Sequence, residues 1–263
     1  VKIILTALTI LLPGIMMTHA QASLYLRKQF TRGNDTLRYR IMYPAQFNPA
    51  KKYPLLLFLH GAGERGANNQ SQLRYGGSLF VDSAARKNFP AIVVFPQCAP
   101  NDYWAQMHMI QERTDSTPQR VEYLKDVPPG KSLQLVMELL DSLSREKFVD
   151  GRRIYVGGVS MGARGTFEIL WRKPNFFAAA FAIAGGGNPS TVSGYARKFP
   201  IWIFHGDQDN VVDVNDSRTM AEALTSAGAA VIYTEYPGVQ HNAWDYALAE
   251  KNLLPWIFSK KRK

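Results

Sequence analysis

"YVGGVSMGARGTFEIL", residues 155–170, joins a short apolar run to a helical pattern through a turn that sets one serine between glycines. Its centre, Gly158-Val159-Ser160-Met161-Gly162, fits the pattern G-x-S-x-G. Between a strand and a helix, that pattern makes a turn so tight that side chains at the glycine positions would collide with neighbouring backbone. The turn pushes the serine into an unfavourable backbone geometry and leaves its hydroxyl exposed above the sheet. The helix N-terminus behind it contributes free N–H groups and partial positive charge. The pentapeptide alone is a weak signal, equally at home in any glycine-rich loop, so its meaning depends on the rest of the chain.

Outward from this turn, the sequence alternates. "YPLLLFLHG" (53–61), "AIVVFPQ" (91–97), "RIYVGGVS" (153–160), "FAAAFAIAGG" (177–186), "PIWIFHGD" (200–207) and "AVIYTEYPG" (230–238) are nearly continuous apolar runs. Strands buried on both faces of a parallel sheet have this character. Helical patterns fall between them at 131–148, 162–173 and 215–228, the first with Leu135, Leu139 and Leu143 at four-residue steps. Two alternating stretches, 24–30 and 36–44, flank the turn-rich "TRGND" and predict an antiparallel hairpin at the start. The pattern predicts an α/β fold with a mostly parallel central sheet, an antiparallel N-terminal edge and helices on both faces. Residues 98–130, with four prolines and several aromatics, fit neither pattern and read as one long connection.

Composition narrows the class. The chain has 263 residues, 46% of them hydrophobic and 20% charged, which suits a globular protein able to bury a sizeable core. One cysteine, Cys98, rules out an intramolecular disulfide and a cysteine-based zinc site. The first 22 residues carry Lys2, an apolar run from Ile3 to Met17 and an A-x-A pair at Ala20 and Ala22. They are expected to be a signal peptide cleaved after Ala22, leaving residues 23–263 as one exported domain, periplasmic or extracellular, with no membrane span. The net charge of +10 invites anionic partners, but the cations are scattered apart from the terminal "SKKRK", which reads as a solvated tail. No nucleic-acid-binding signature accompanies them. The sequence leaves the oligomeric state open.

A serine hydroxyl needs a base before it can act as a nucleophile at neutral pH. Of the five histidines, His241 follows the last strand candidate, where the final loop of such a sheet would return over Ser160. His60 and His205 each precede a glycine at a strand end, and His108 lies in the long connection. The base in turn needs an orienting carboxylate. "FHGDQDNVVDVNDS" offers Asp207, Asp209 and Asp213, and spacing alone does not separate the first two. The glycine-rich turn in "LFLHGAGERG" (57–66) can aim a backbone N–H at a developing oxyanion, with the N–H of Met161 as second donor.

With "LHGAGERG" (59–66), "FPQC" and "YWA" (95–98, 103–105), "GGVSMGARGTF" (157–167), "HGDQDNVV" (205–212) and "QHNAW" (240–244), the chain resembles the α/β-hydrolase superfamily. Within it, the chain is most similar to exported single-domain esterases of the phospholipase/carboxylesterase, feruloyl-esterase and dienelactone-hydrolase-like group. The resemblance implies Ser160 as nucleophile, His241 as base and Asp209, rather than Asp207, as orienting acid. It implies the backbone of Ala62 as oxyanion contributor, and neither cofactor nor metal. A serine in place of the cysteine of true dienelactone hydrolases argues against dienelactone chemistry. The expected substrate is a small or polysaccharide-linked ester, acetyl and feruloyl groups among the candidates. Tyr103, Trp104 and Trp244 are candidates for lining its pocket, and Glu64 and Arg65 for an ion pair supporting the oxyanion turn. The competing readings are a prolyl-oligopeptidase-like peptidase acting on small peptides and a non-catalytic binding protein.

Overall fold

The computed structural model describes residues 19–114 and 117–262. Most of the expected signal peptide, residues 1–18, lies outside the described residues. Among the described residues there are ten strands: β1 (Leu26–Arg32), β2 (Asp35–Met42), β3 (Tyr53–Leu59), β4 (Ile92–Gln97), β5 (Met107–Gln111), β6 (Arg120–Tyr123), β7 (Val149–Val159), β8 (Ala179–Ile183), β9 (Ile201–Gly206) and β10 (Val231–Tyr236). Eight of them form one sheet in the order β1-β2-β4-β3-β7-β8-β9-β10. β1 and β2 pair antiparallel, β2 meets β4 antiparallel, and every later neighbour runs parallel. The helices are α1 (His19–Ser23), α2 (Gly77–Val81), α3 (Ser83–Asn88), α4 (Lys131–Ser144), α5 (Met161–Arg172), α6 (Val214–Ser226), α7 (Ala243–Ala247) and α8 (Leu253–Phe258). None of them is long and apolar enough to cross a membrane.

The two-residue period of the strands sorts the apolar runs onto two faces. Leu55, Leu57 and Leu59 of β3 join Val94 and Val156 in a core closed by α4, α5 and α6, through Leu139, Leu170 and Leu224 among others. Leu56 and Phe58 point the other way, to Phe95, Phe181 and Phe204, beneath α2, α7 and α8. Both faces of the central strands are therefore dry, and their sequences read as continuous rather than alternating for that reason.

Two expectations are corrected. Residues 98–130 are not a single loop, because β5 and β6 pair as an antiparallel hairpin outside the main sheet. The hairpin reaches back to the loop after β9, where the Gln119 N–H donates to the Val211 carbonyl at 3.1 Å. Over its described residues, 259–262, the basic tail is anchored through its backbone and Arg262 rather than free in solvent. The Tyr155 hydroxyl donates to the Lys260 carbonyl at 2.7 Å, and the Arg262 guanidinium caps the carbonyls of Gly151, Asn175 and Phe176.

Candidate active site

The groups singled out in the sequence meet at the carboxyl ends of the parallel strands. That is where open α/β sheets place their ligands. Ser160 sits between β7 and α5 at φ 55° and ψ −118°, a left-handed-side geometry that L residues adopt only under constraint. The constraint is visible on both flanks. A Cβ at Gly158 would lie 2.3 Å from the Gly162 carbonyl oxygen, and one at Gly162 would lie 2.0 Å from the Leu59 carbonyl oxygen. With only hydrogens there, β3, β7 and the first turn of α5 close on one another. The Ser160 N–H is held by the Ile183 carbonyl at 2.8 Å.

Ser160 Oγ lies 2.9 Å from His241 Nε2, and His241 Nδ1 lies 2.7 Å from Asp209 Oδ2. This order assigns the ring: Nδ1–H donates to the carboxylate, and Nε2 is free to accept the serine proton. Asp209 Oδ1 accepts the N–H groups of Val211 and Val212 at 2.8 and 3.0 Å. Burial alone would raise its pKa, but hydrogen bonds from His205 and His241 win and hold the carboxyl far below the usual carboxylate range. The other two acids are engaged elsewhere. Asp207 accepts the Gly238 N–H at 2.7 Å, and Asp213 caps α6 by accepting the Asn215 N–H at 2.9 Å.

Ala62 opens the short turn after β3 and is exposed, while Met161 is the first residue of α5. A Cβ built at the adjacent Gly61 would stand 3.7 Å from the Ser160 Cβ, so this turn flanks the serine. Glu64 and Arg65 do not form the expected ion pair. The Glu64 carboxyl is buried and turned to the N–H groups of its own turn, and burial raises its pKa. The Arg65 guanidinium donates to the Ala62 carbonyl at 3.0 Å and lies over the Tyr103 ring at 4.5 Å.

The aromatic candidates separate. Trp104 is wholly buried and donates its indole N–H to the His60 carbonyl at 3.0 Å, which makes it a prop for the turn rather than a pocket wall. Tyr103 stands at the surface beneath Arg65. Trp244 meets the His241 ring edge-to-face at 5.1 Å and packs against Tyr75 at 4.7 Å. Tyr75 was not foreseen, because a tyrosine in "QLRYGGSLF" carries no local signal of what it will face.

His60 fixes the root of the same turn. Its Nδ1–H donates to the Gly61 carbonyl at 2.7 Å, and its Nε2 accepts the Cys98 N–H at 2.9 Å. Burial pushes its pKa down from 6.5 to about 4, against the Gly61 contact and with Arg65 adding to the effect. The unfolded chain binds this proton near the ordinary value and the native state only near the lowered one, so stability falls as pH drops through that window. Between pH 6.5 and about 5, this residue alone is expected to remove about 2 kcal/mol. Urea unfolding of wild type and His60→Gln at those two pH values checks it. Equal losses in both proteins would show that native His60 takes up the proton freely.

A serine turn at the centre of a mostly parallel sheet, served by a histidine and a carboxylate from the loops after its last two strands, defines the α/β-hydrolase fold. The sequence profile of the phospholipase/carboxylesterase family matches residues 46–251, and the chain belongs to that family. It is similar to the bifunctional acetylxylan esterase/xylanase XynS20E of Neocallimastix patriciarum, with 28% identity over 170 residues, 64% of this chain and 21% of that enzyme. It is also similar to a thermostable esterase of known structure, with 33% identity and a TM-score of 0.82, over 93% of this chain and 65% of that one. A ferulic acid esterase shares the fold at 19% identity and a TM-score of 0.65, over 89% of this chain and 98% of that one. The chain thus spans about a fifth of the first of these relatives and just under two thirds of the second.

Proposed function

We propose that this protein is a serine carboxylic-ester hydrolase that works through an acyl-enzyme and acts, after export, on acyl groups esterified to carbohydrate. One observation carries the reading: a continuous proton path from Ser160 Oγ through His241 to Asp209, at 2.9 and 2.7 Å, on a serine held at a strained strand–helix turn. In this mechanism, Ser160 attacks the ester carbonyl as His241 Nε2 takes its proton, and the N–H groups of Ala62 and Met161 receive the oxyanion. His241 returns the proton to the leaving alcohol. It then draws one from water as the water attacks the acyl-serine, and passes it to Ser160 Oγ as the acid leaves. Asp209 keeps the imidazole in the required tautomer and offsets its charge. The substrate class rests on the names of the relatives, acetylxylan and ferulic acid esterases among them, and export rests on residues 1–22.

The test uses purified residues 23–263 with p-nitrophenyl acetate, butyrate and octanoate, methyl ferulate, acetylated xylan and a proline p-nitroanilide. Ester turnover with release of acetate from xylan or ferulate from its methyl ester is expected, and anilide cleavage is not. Anilide cleavage without ester preference would transfer the site to peptide chemistry. A folded protein inert toward every compound would remove the enzyme reading.

A further inference from the structure

The catalytic groups occupy the carboxyl ends of the parallel strands, and the segments leading into those strands gather at the opposite end of the sheet. Lys51 and Lys52 precede β3, and Lys87 lies in the last turn of α3 ahead of β4. Arg145 and Lys147 lead into β7, which carries Arg152 and Arg153, and Arg197 and Lys198 precede β9. In sequence these cations are scattered. The fold collects them because each crossover returns the chain to the same end before the next parallel strand begins. β4, β3, β7, β8 and β9 are consecutive neighbours, so at ~4.8 Å per strand the array spans about 20 Å.

The C-terminal tail completes the array. The Arg262 N–H donates to the Arg152 carbonyl at 2.8 Å, and the Arg152 Nε–H donates to the Arg262 carbonyl at 2.9 Å. These bonds keep Lys260 and Lys261 on this face. Lys51, Lys52, Lys87, Lys147, Lys198 and Lys261 are exposed, with no carboxylate partner among the described residues. The acids on the same segments are Asp150, already held by Arg153 at 2.7 Å, and Glu146. Internal pairing therefore leaves this end of the molecule strongly positive.

A cleft of about 470 Å³ opens within it. Phe89 and Phe258, stacked at 5.5 Å, line it together with Pro54, while Lys51, Lys52 and Arg153 supply its charge and no acid lines it. Aromatic faces beside cations suit a sugar ring that bears a carboxylate, its apolar C–H face on the rings and its charge on the cations. A bilayer is flat, and helices that lie on one add apolar side chains to the charge. Among the described residues the exposed large apolar side chains are Leu24, Leu26, Tyr103, Met109 and Ile110, all outside these segments. We propose that this face, through its cleft, binds a polysaccharide chain rich in uronic acids. Ser160 lies seven residues of strand beyond Arg153, about 23 Å, so the bound chain leaves the catalytic end open.

Titration calorimetry with unesterified polygalacturonate tests this, with dextran as the neutral polymer and phosphatidylglycerol vesicles as the anionic surface. Polygalacturonate is expected to bind in dilute salt and dextran is not. Binding should vanish at about 1 M salt, where the screening length falls to ~3 Å. Lys51→Glu with Lys52→Glu should weaken it by about tenfold or more. Lys28→Glu with Arg38→Glu makes the same change of charge at the β1–β2 margin and should weaken it by less than about twofold. Turnover of p-nitrophenyl acetate should be the same in all three proteins, since neither pair touches the catalytic groups. Equal weakening by the two pairs would reduce the effect to net charge and overturn the site. Failure of polygalacturonate to bind, or tighter binding of the vesicles, would overturn it as well. A wild-type protein that binds the polymer but cleaves no ester keeps this site and removes only the enzyme reading.

Discussion

Ser160→Ala is expected to lower kcat/KM toward p-nitrophenyl butyrate by about 10⁵-fold or more, because the members of such a set act as one unit. The substitution removes one oxygen and leaves the turn alone. Alanine has the same Cβ and suffers the same strain at φ 55°, and the Ser160 N–H bond to Ile183 is a backbone contact that survives. The lost hydrogen bond to His241 is part-buried, so stability should change by about 1 kcal/mol or less. Trace turnover above the water rate would persist through the N–H groups of Ala62 and Met161. Steady-state kinetics beside a thermal melt make the measurement. Retained turnover in the variant would place the nucleophile elsewhere.

Two residues further on, a change of similar size should destroy the fold rather than the chemistry. A Cβ at Gly162 would press to 2.0 Å from the Leu59 oxygen and 2.8 Å from the His60 oxygen. Neither can retreat, since Leu59 ends a fully buried central strand and pairs with Gly158 across the same junction. Relief requires prising α5 away from β3. For a protein with a total stability of about 5–15 kcal/mol, a forced overlap of this kind is expected to cost about 4 kcal/mol or more. Gly162→Ala should therefore melt about 10 °C or more below wild type, or accumulate insoluble. Gly63→Ala is the control, because a Cβ at Gly63 meets nothing within 4 Å. A Gly162→Ala melt equal to that of the control would deny the close approach at this turn.

What could be read from the sequence was whatever is encoded locally. The apolar runs at 53–61, 153–160 and 200–207 became β3, β7 and β9 because burial on both faces requires uninterrupted apolar residues. The pentapeptide around Ser160 announced its turn because only glycine permits the 2.0 and 2.3 Å approaches there. The hairpin of β5 and β6 left no such trace. "MHMIQ" and "RVEY" are largely exposed and bury no regular face, so they show no period. Trp104 misled for the opposite reason: an aromatic residue has the same appearance in a sequence whether it lines a pocket or props a loop, and only its burial and its bond to His60 decide. Asp207 and Asp209 were not separated by spacing, and only the resemblance favoured Asp209. The fold gives each its own partner, the Gly238 N–H for Asp207 and the His241 ring for Asp209. His205 was visible as the residue before a glycine, yet its side-chain partners are Ser217, twelve positions away, and Asp209.

The first strand has a bearing on how copies of the molecule behave toward one another. Among the described residues, β1 forms one margin of the eight-stranded sheet and pairs with β2 alone. Strand margins are templates for intermolecular pairing. This one carries Arg27 and Lys28 at exposed positions, while Arg32 is paired with Glu138 at 3.3 Å and Arg40 of β2 is buried against backbone carbonyls. Asn69 already occupies the Lys28 carbonyl with its side-chain amide at 3.2 Å. A second margin docking at the ~4.8 Å spacing of paired strands would bring these cations together well inside the ~10 Å screening distance of dilute salt. Like charges at Arg27 and Lys28 therefore oppose edge-to-edge docking of a second copy at this margin, and added salt screens that repulsion.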